Sequence, residues 1–127
     1  MEVSHINKIR EFTDLIAWQE GHKLVLMIYR VTKQFPKDEV FALTSQIRRA
    51  VVSITSNIAE GFSRRTDKDK LQFYYISLGS ISEVQNQILI AKDVFYLKDD
   101  EYQLIVEQLY LVQRLVNGLA SKLKHNT

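Results

Sequence analysis

The stretch LTSQIRRAVVSITSNIAEG, residues 43–61, decides the fold. Leu43, Ile47, Ala50, Ile54 and Ile58 recur at steps of three and four, the apolar stripe of a long amphipathic helix. Beside it runs a second stripe: Gln46, Arg49, Ser53, Asn57 and Glu60. Steps of three and four place these five polar side chains on one helical face. A solvated face is mostly long and charged. This one carries one cation, one anion and three uncharged hydrogen-bonding groups, a polar seam suited to meeting another helix, another subunit or a ligand.

The flanking sequence repeats the helical period. Asp14 is the expected N-cap of a first helix, followed by Leu15, Trp18, His22, Val25, Ile28, Tyr29 and Thr32 at helical spacing. That helix must end before Phe35-Pro36, because proline pushes the preceding residue out of the α region. His22 reads as a hydrogen-bonded, partly buried histidine rather than a ligand. The second helix starts near Lys37-Asp38-Glu39, where two acidic residues suit the positive end of the helix dipole. Gly61 fits a left-handed C′ position closing it, with Phe62 folding back. Thr66 with Asp69 resembles a capping box opening a third helix. Its stripe is Leu71, Tyr74, Leu78, Ile81, Gln85 and Ile88, and its small residues Ser77, Gly79 and Ser80 predict close approach of a neighbour. Asp99 is the expected cap of a fourth helix, with Tyr102, Ile105, Leu109, Val112, Val116, Leu119 and Leu123 on one side. Residues 124–127 are expected to fray.

Composition agrees. With 4 Gly and 1 Pro in 127 residues, breakers are too scarce for a strand-and-turn fold. The expectation is an all-α, antiparallel up-down-up-down four-helix bundle in one domain, residues 1–127, with helices at about 15–34, 38–61, 67–94 and 99–124. No Cys is present, which excludes disulfides, thiolate metal sites and a Cys nucleophile. No apolar run is long enough for a signal sequence or a membrane span, so the expected location is cytoplasmic. The net charge of +2 is mild, but it is localised: residues 36–70 hold seven Lys/Arg against five Asp/Glu.

No catalytic constellation emerges. A di-iron bundle needs Glu-x-x-His pairs on two helices, and the one such spacing here is Glu2 to His5, in the leader. No Arg shortly precedes a His as in helical-bundle ribonucleases. The third helix offers only Glu83 and Asp93 for the paired acidic motifs of pyrophosphatase-type bundles. His5 and His125 lie in expected tails. Neither an enzyme activity, a metal nor a cofactor is therefore expected. In the seam, Arg49 and Glu60 are too far apart to pair. As packing groups each would pair with a neighbouring helix, with Ser53 and Asn57 bridging; as functional groups they would be exposed. Arg48, Arg49, Arg64, Arg65, Lys68 and Lys70 cluster in sequence, interleaved with Glu60, Asp67 and Asp69. Such a group is either a compensated solvated face or a set of phosphate contacts, which give affinity without sequence specificity. Phe73-Tyr74-Tyr75 contains stacking side chains, though helical spacing assigns at least two of them to packing.

Several motifs together resemble a known family. They are Leu15-x-x-Trp18-Gln19, Tyr29, Phe35-Pro36 and Glu39, then Leu43-x-x-Gln46-x-x-Arg49-Ala50 and Ser53-Ile54. Asn57-Ile58-Ala59-Glu60-Gly61, Phe73, Gly79-Ser80 and Glu83 complete the set. The chain resembles the four-helix-bundle proteins encoded within intervening sequences of bacterial 23S ribosomal RNA genes, once labelled S23 ribosomal proteins. That family includes the accessory variability proteins of diversity-generating retroelements. The match covers about residues 12–97. Thr55 stands where family members commonly have Pro, so the second helix is expected to be straighter here. The resemblance implies a homopentameric barrel with a central channel and no enzymatic activity. It also implies RNA or DNA binding and, in the retroelement branch, association with reverse transcriptase. On this footing Gln46, Arg49, Ser53, Asn57 and Glu60 organise packing within or between subunits. Arg48, Arg64, Arg65, Lys68 and Lys70 are the candidate phosphate contacts. The alternative is a protein-interaction scaffold without a nucleic-acid role.

Overall fold

The apolar stripes wind into four rods: α1 Ile16–Thr32, α2 Leu43–Ser63, α3 Asp67–Asp93 and α4 Asp99–Lys124. The structure is a computed structural model and describes residues 8–124. The α1 helix packs against α2 and α4, α2 against α3, and α3 against α4. Consecutive helices are thus neighbours and the first meets the last, the up-down-up-down bundle that short connections dictate. Glu2, His5 and His125 lie outside the described residues, as do the last three positions of the expected frayed tail.

The helix starts differ from expectation, for local reasons. Asp14 does not cap α1. Its Oδ2 accepts the N–H groups of Arg10 (2.9 Å) and Glu11 (3.0 Å), closing the single 3-10 turn Phe12–Asp14. Those two bonds hold its carboxyl below the usual carboxylate value. The α2 helix begins at Leu43, because Lys37–Glu39 form a separate 3-10 turn. Glu39 serves both sides of this break. Its Oε1 accepts the Leu43 N–H at 3.3 Å and its Oε2 accepts the Tyr96 O–H at 2.7 Å. That second bond, with the Phe35 and Tyr96 rings 5.3 Å apart, ties the α1–α2 connection to the α3–α4 connection at one end of the bundle. It also raises the Tyr96 phenol pKa, with burial and the Glu39 charge adding to it. Asp99 is the first helical residue of α4 rather than its cap, and Glu101 Oε1 accepts the Lys98 N–H at 2.9 Å.

Gly61 is the second correction. No glycine among the described residues has a positive φ, and α2 runs two residues past it. Gly61 is buried against α3, where a Cβ would lie 2.6 Å from Cε1 of Tyr74. Its small size admits the tyrosine ring, and conformational freedom is not what the site uses. The left-handed position lies instead at Phe95, φ 69°. There the Tyr96 N–H reaches the Ala91 carbonyl (2.8 Å) and the Phe95 N–H reaches that of Lys92 (3.0 Å), a Schellman closure of α3. Thr66 caps α3, its Oγ1 accepting the Asp69 N–H at 3.2 Å.

The core follows the stripes on α2 and α4: Ile47, Ala50, Ile54 and Ile58 face Ile105, Leu109, Val112 and Val116 across a buried interior. On α1 the buried line is Ala17, Gly21, Leu24, Ile28 and Thr32, rotated from the expected one. The cause is close approach of α1 and α2: a Cβ on Gly21 would lie 2.9 Å from Cγ2 of Thr55. Bulky rings cannot enter that contact. Trp18 therefore sits on the flank, half-buried, stacked on an exposed His22 at 4.8 Å. His22 is thus not the partly buried, hydrogen-bonded group its spacing suggested. The α2 helix runs unbroken through Thr55, whose Oγ1 donates to the Val52 carbonyl at 3.1 Å. On the other side Gln108 Nε2 donates to the Glu20 carbonyl (2.8 Å) and to Glu20 Oε1 (3.0 Å), clasping α1 to α4. Gln108 first, then Lys23, lowers the Glu20 pKa, so this contribution is present above the usual glutamate value and is lost as pH falls through the lowered one.

Two glycine substitutions should separate packing from propensity. Gly61→Ala should lose about 1–3 kcal/mol, because the clash with Tyr74 outweighs the helix-propensity gain. Gly118→Ala, which meets nothing within 4 Å, should gain about 0.5–1 kcal/mol. Urea midpoints measure both; a Gly61→Ala variant as stable as the parent would contradict the tight α2–α3 contact.

Candidate functional site

The seam falls where α2 crosses α3. Ser77 and Ser80 are buried there, and their small side chains let the two backbones approach while supplying hydroxyls. The Ser77 Oγ donates to the Ile54 carbonyl at 2.9 Å, and Ser53 and Ser80 share a hydroxyl–hydroxyl bond of 2.8 Å. Asn57 Nδ2 donates back along α2 to the Ser53 carbonyl (2.8 Å) and to Ser53 Oγ (3.0 Å). Ser53 and Asn57, two of the five seam residues, are therefore internal packing of the bundle. Gly79, next to these serines, meets nothing within 4 Å, so the close approach expected there belongs to Ser77 and Ser80.

The rest of the seam is exposed. Glu60 pairs with Arg64 four residues on, at 2.7 Å, and not with a neighbouring helix. The side chains of Arg49 and Gln46 are exposed and make no hydrogen bond or ion pair within the described residues. They line an open cleft of about 310 Å³ with Ala50, Ser53 and, from α3, Glu83. Among the described residues of the chain neither Arg49 nor Glu60 pairs with an adjacent helix, because both stand one step outside the buried line.

The five candidate phosphate contacts do not form one patch. At 1.5 Å per residue, about 24 Å of helix separates Arg48 from Arg64. Arg48 is half-buried and committed: its Nε donates to Thr32 Oγ1 at 2.8 Å and its guanidinium lies 4.8 Å over the Tyr29 ring. Lys70 closes α2, donating to the Phe62 carbonyl at 2.6 Å with its ammonium 5.5 Å from the Phe62 ring. Arg64 is neutralised by Glu60 and lies 4.5 Å over Phe73. Arg65 and Lys68 alone of the five are exposed and without a partner among the described residues. Of the aromatic run, Tyr74 is buried, which raises its phenol pKa; Phe73 is half-buried beneath Arg64, and Tyr75 is exposed.

A larger feature was not legible beforehand. An open groove of about 720 Å³ runs along the start of α2, lined by Tyr29, Val40, Phe41, Thr44, Arg48, Arg49 and neighbouring serines. Phe41 at its edge is 96% exposed. The groove exists because α2 starts at Leu43, leaving residues 40–42 as a non-helical lip. The signal that could have revealed it is the adjacent pair Val40-Phe41 directly after an acidic turn, one residue too many for a continuous stripe. Among the described residues, no group of three or more His, Asp or Glu side chains could hold a metal ion, and no helix is long and apolar enough to cross a membrane.

Comparison with known proteins gives a family and a fold. A family model described as 23S rRNA-intervening sequence protein matches residues 13–118. The chain is similar to a crystallised protein of unknown function from the S23 ribosomal protein family of Bacteroides thetaiotaomicron VPI-5482. The TM-score is 0.77 at 18% identity, covering 84% of this chain and 96% of that one. No curated protein matches.

The contrast between committed and uncommitted cations is measurable. Arg48→Ala should cost about 1–2 kcal/mol of stability through the lost Thr32 bond and cation–π contact. Arg65→Ala should stay within about 0.5 kcal/mol of the parent. Equal denaturation midpoints for the two variants would contradict the structural assignment of Arg48.

Proposed function

The chain belongs to the 23S rRNA-intervening sequence protein family, and on that footing we propose that it is a non-enzymatic, self-associating bundle that binds RNA or DNA weakly through basic residues. The observation that carries the proposal is the outer face of α3. A helix buried on one side should be polar on the other. Instead Tyr75, Ile76, Leu89 and Ile90 remain 47%, 45%, 43% and 43% exposed on the outside, while Tyr74, Ile81, Val84 and Ile88 fill the core. Ile76, Glu83 and Ile90 follow a seven-residue repeat on the side toward α2; Tyr75, Ser82 and Leu89 do so on the side toward α4. Repeats of this kind form a seam for another helix. Arg49, Gln46 and Glu83, unpaired beside it, supply the polar rim. A ring, with five copies as the family resemblance implies, would follow from a heterologous contact whose rotation closes. The setting is the cytoplasm.

Nucleic-acid contact is assigned to Arg65 and Lys68, with Arg64 adding to them. One protomer offers few phosphate contacts, and repetition around a ring would convert them into useful avidity. A second reading has its own support. Phe41 and Phe95 are 96% and 91% exposed at the same end of the bundle, and Phe95 is held at a positive φ that disfavours a bulky residue. Acidic residues stand near them, Asp38 in the first connection and Asp99 and Asp100 in the first turn of α4. That end would suit a protein partner with a basic rim, for which a reverse transcriptase is one candidate.

Light scattering tests the first reading. The parent should be an oligomer, and the double substitution Ile76→Glu with Ile90→Glu should give a helical monomer; a monomeric parent at tens of micromolar sinks the assembly. Filter binding against salt tests the second element. Affinity should fall steeply with salt, and Arg65→Ala and Lys68→Ala should each reduce the slope by about 1. Binding that ignores salt would be fatal to the phosphate assignment.

A further inference from the structure

We propose that the groove at the start of α2 is a site for a single nucleotide: an aromatic base stacked on Phe41 and a phosphate held at the α2 N-terminus. This deepens the nucleic-acid part of the proposed function and rests on it. Three independent observations converge. The first is an N-terminus with free donors. The α2 N-cap is Ala42, which has no side chain able to bond the first turn. Glu39 takes the Leu43 N–H at 3.3 Å, and the Gln46 N–H bonds the Ala42 carbonyl. The N–H groups of Thr44 and Ser45 have no acceptor among the described residues. Unsatisfied donors at the positive end of a long helix bind anions.

The second observation is Thr44 itself. It lines the groove, is 5% exposed, and its Oγ1 has no hydrogen-bond partner. An enclosed, unpartnered hydroxyl at a helix start is costly unless a ligand or water completes it. The third is the composition of the walls. Arg49 is exposed and uncommitted, and Arg48 uses its Nε on Thr32 and keeps its remaining guanidinium donors. Phe41 presents a free ring at the groove that the Tyr29–Arg48 stack also lines. About 720 Å³ lies within the usual range for a small-molecule site. An anion alone would not need the rings, and an apolar ligand would leave the arginines and N–H donors unpaired. A phosphate joined to a planar base satisfies both. Two carboxylates, Asp38 and Glu39, precede this terminus in the 3-10 turn, and Glu39 is turned toward Leu43 and Tyr96.

The same chemistry is offered by a free nucleotide and by an unpaired nucleotide within a strand. Amide chemical-shift mapping on the full chain distinguishes them, with separate titrations of inorganic phosphate, adenosine, adenosine 5′-monophosphate and an unstructured adenosine oligonucleotide. Adenosine 5′-monophosphate should move the Thr44 and Ser45 amides and bind at least about tenfold more tightly than adenosine or phosphate alone. Phe41→Ala should weaken it about tenfold, within the range for base–aromatic stacking, and circular dichroism should show the fold intact because this ring is almost fully exposed. Arg49→Gln should lower the salt slope by about 1. Equal affinity for the mononucleotide and the oligonucleotide assigns the site to free nucleotide; an oligonucleotide that binds more tightly and shifts the same amides assigns it to single strands. The inference is overturned if neither probe moves Thr44 and Ser45, or if Phe41→Ala binds like the parent. Oligonucleotide binding that survives Phe41→Ala but is lost in Arg65→Ala with Lys68→Ala would overturn the groove and leave the loop contacts standing. Absence of all binding would remove both, and self-association would be unaffected.

Discussion

Everything in this bundle depends on how closely α2 can approach α3. Gly61 admits the Tyr74 ring, Ser77 reaches the Ile54 carbonyl, and Ser53 meets Ser80. Each contact uses a residue too small to hold the helices apart. The hydroxyls also satisfy polar groups that burial would otherwise strand. Because these serines are spent inside, the neighbouring positions on each helix are forced outward. Arg49, Gln46 and Glu83 are exposed as a direct result of where Ser53 and Ser80 point. The internal packing thus sets which groups remain for other molecules.

The same economy explains the cations. A cation next to an unsatisfied carbonyl or an aromatic ring finds intramolecular use first, since its partner is already at high effective concentration. Lys70 closes the carbonyls at the end of α2, and Arg48 bridges Thr32 and Tyr29. Counting basic residues along a chain therefore overstates what it can offer to phosphate. Arg65 and Lys68 lie in and just after the turn, where Lys70 already takes the Gly61 and Phe62 carbonyls at the end of α2.

Periodicity carried the architecture well where core residues were large. The α2 and α4 stripes contain Ile, Leu and Val at regular steps, so their buried lines could be read directly. On α1 the buried line includes Ala17 and Gly21, which carry little hydrophobic signal, and the larger Trp18 and Tyr29 drew the expected face to one side. Helix ends were harder for a related reason. Asp14, Glu39 and Asp99 all look like caps or first-turn acids, but their roles depend on partners. Glu39 bonds a tyrosine fifty-seven residues away, which no local pattern contains. Gly61 shows the limit most clearly: a glycine near a helix end suggests a left-handed turn, whereas this one is a packing contact, and Phe95 holds the positive φ. In the candidate site, the Ser53–Asn57 pair was visible as an i, i+4 spacing. The groove beside Phe41 was not, because it follows from where α2 fails to begin.

That late start links fold to function. Had Lys37-Asp38-Glu39 been the first turn of α2, Val40 and Phe41 would be helical residues and the donors of Thr44 and Ser45 would be bonded within the helix. Instead Glu39 sits in a separate 3-10 turn, its carboxylate shared between the Tyr96 O–H across the bundle end and the Leu43 N–H. Glu39 thus joins both features: it ties one end of the bundle to Tyr96 and takes the first N–H of α2, beside the donors of Thr44 and Ser45 that stay open.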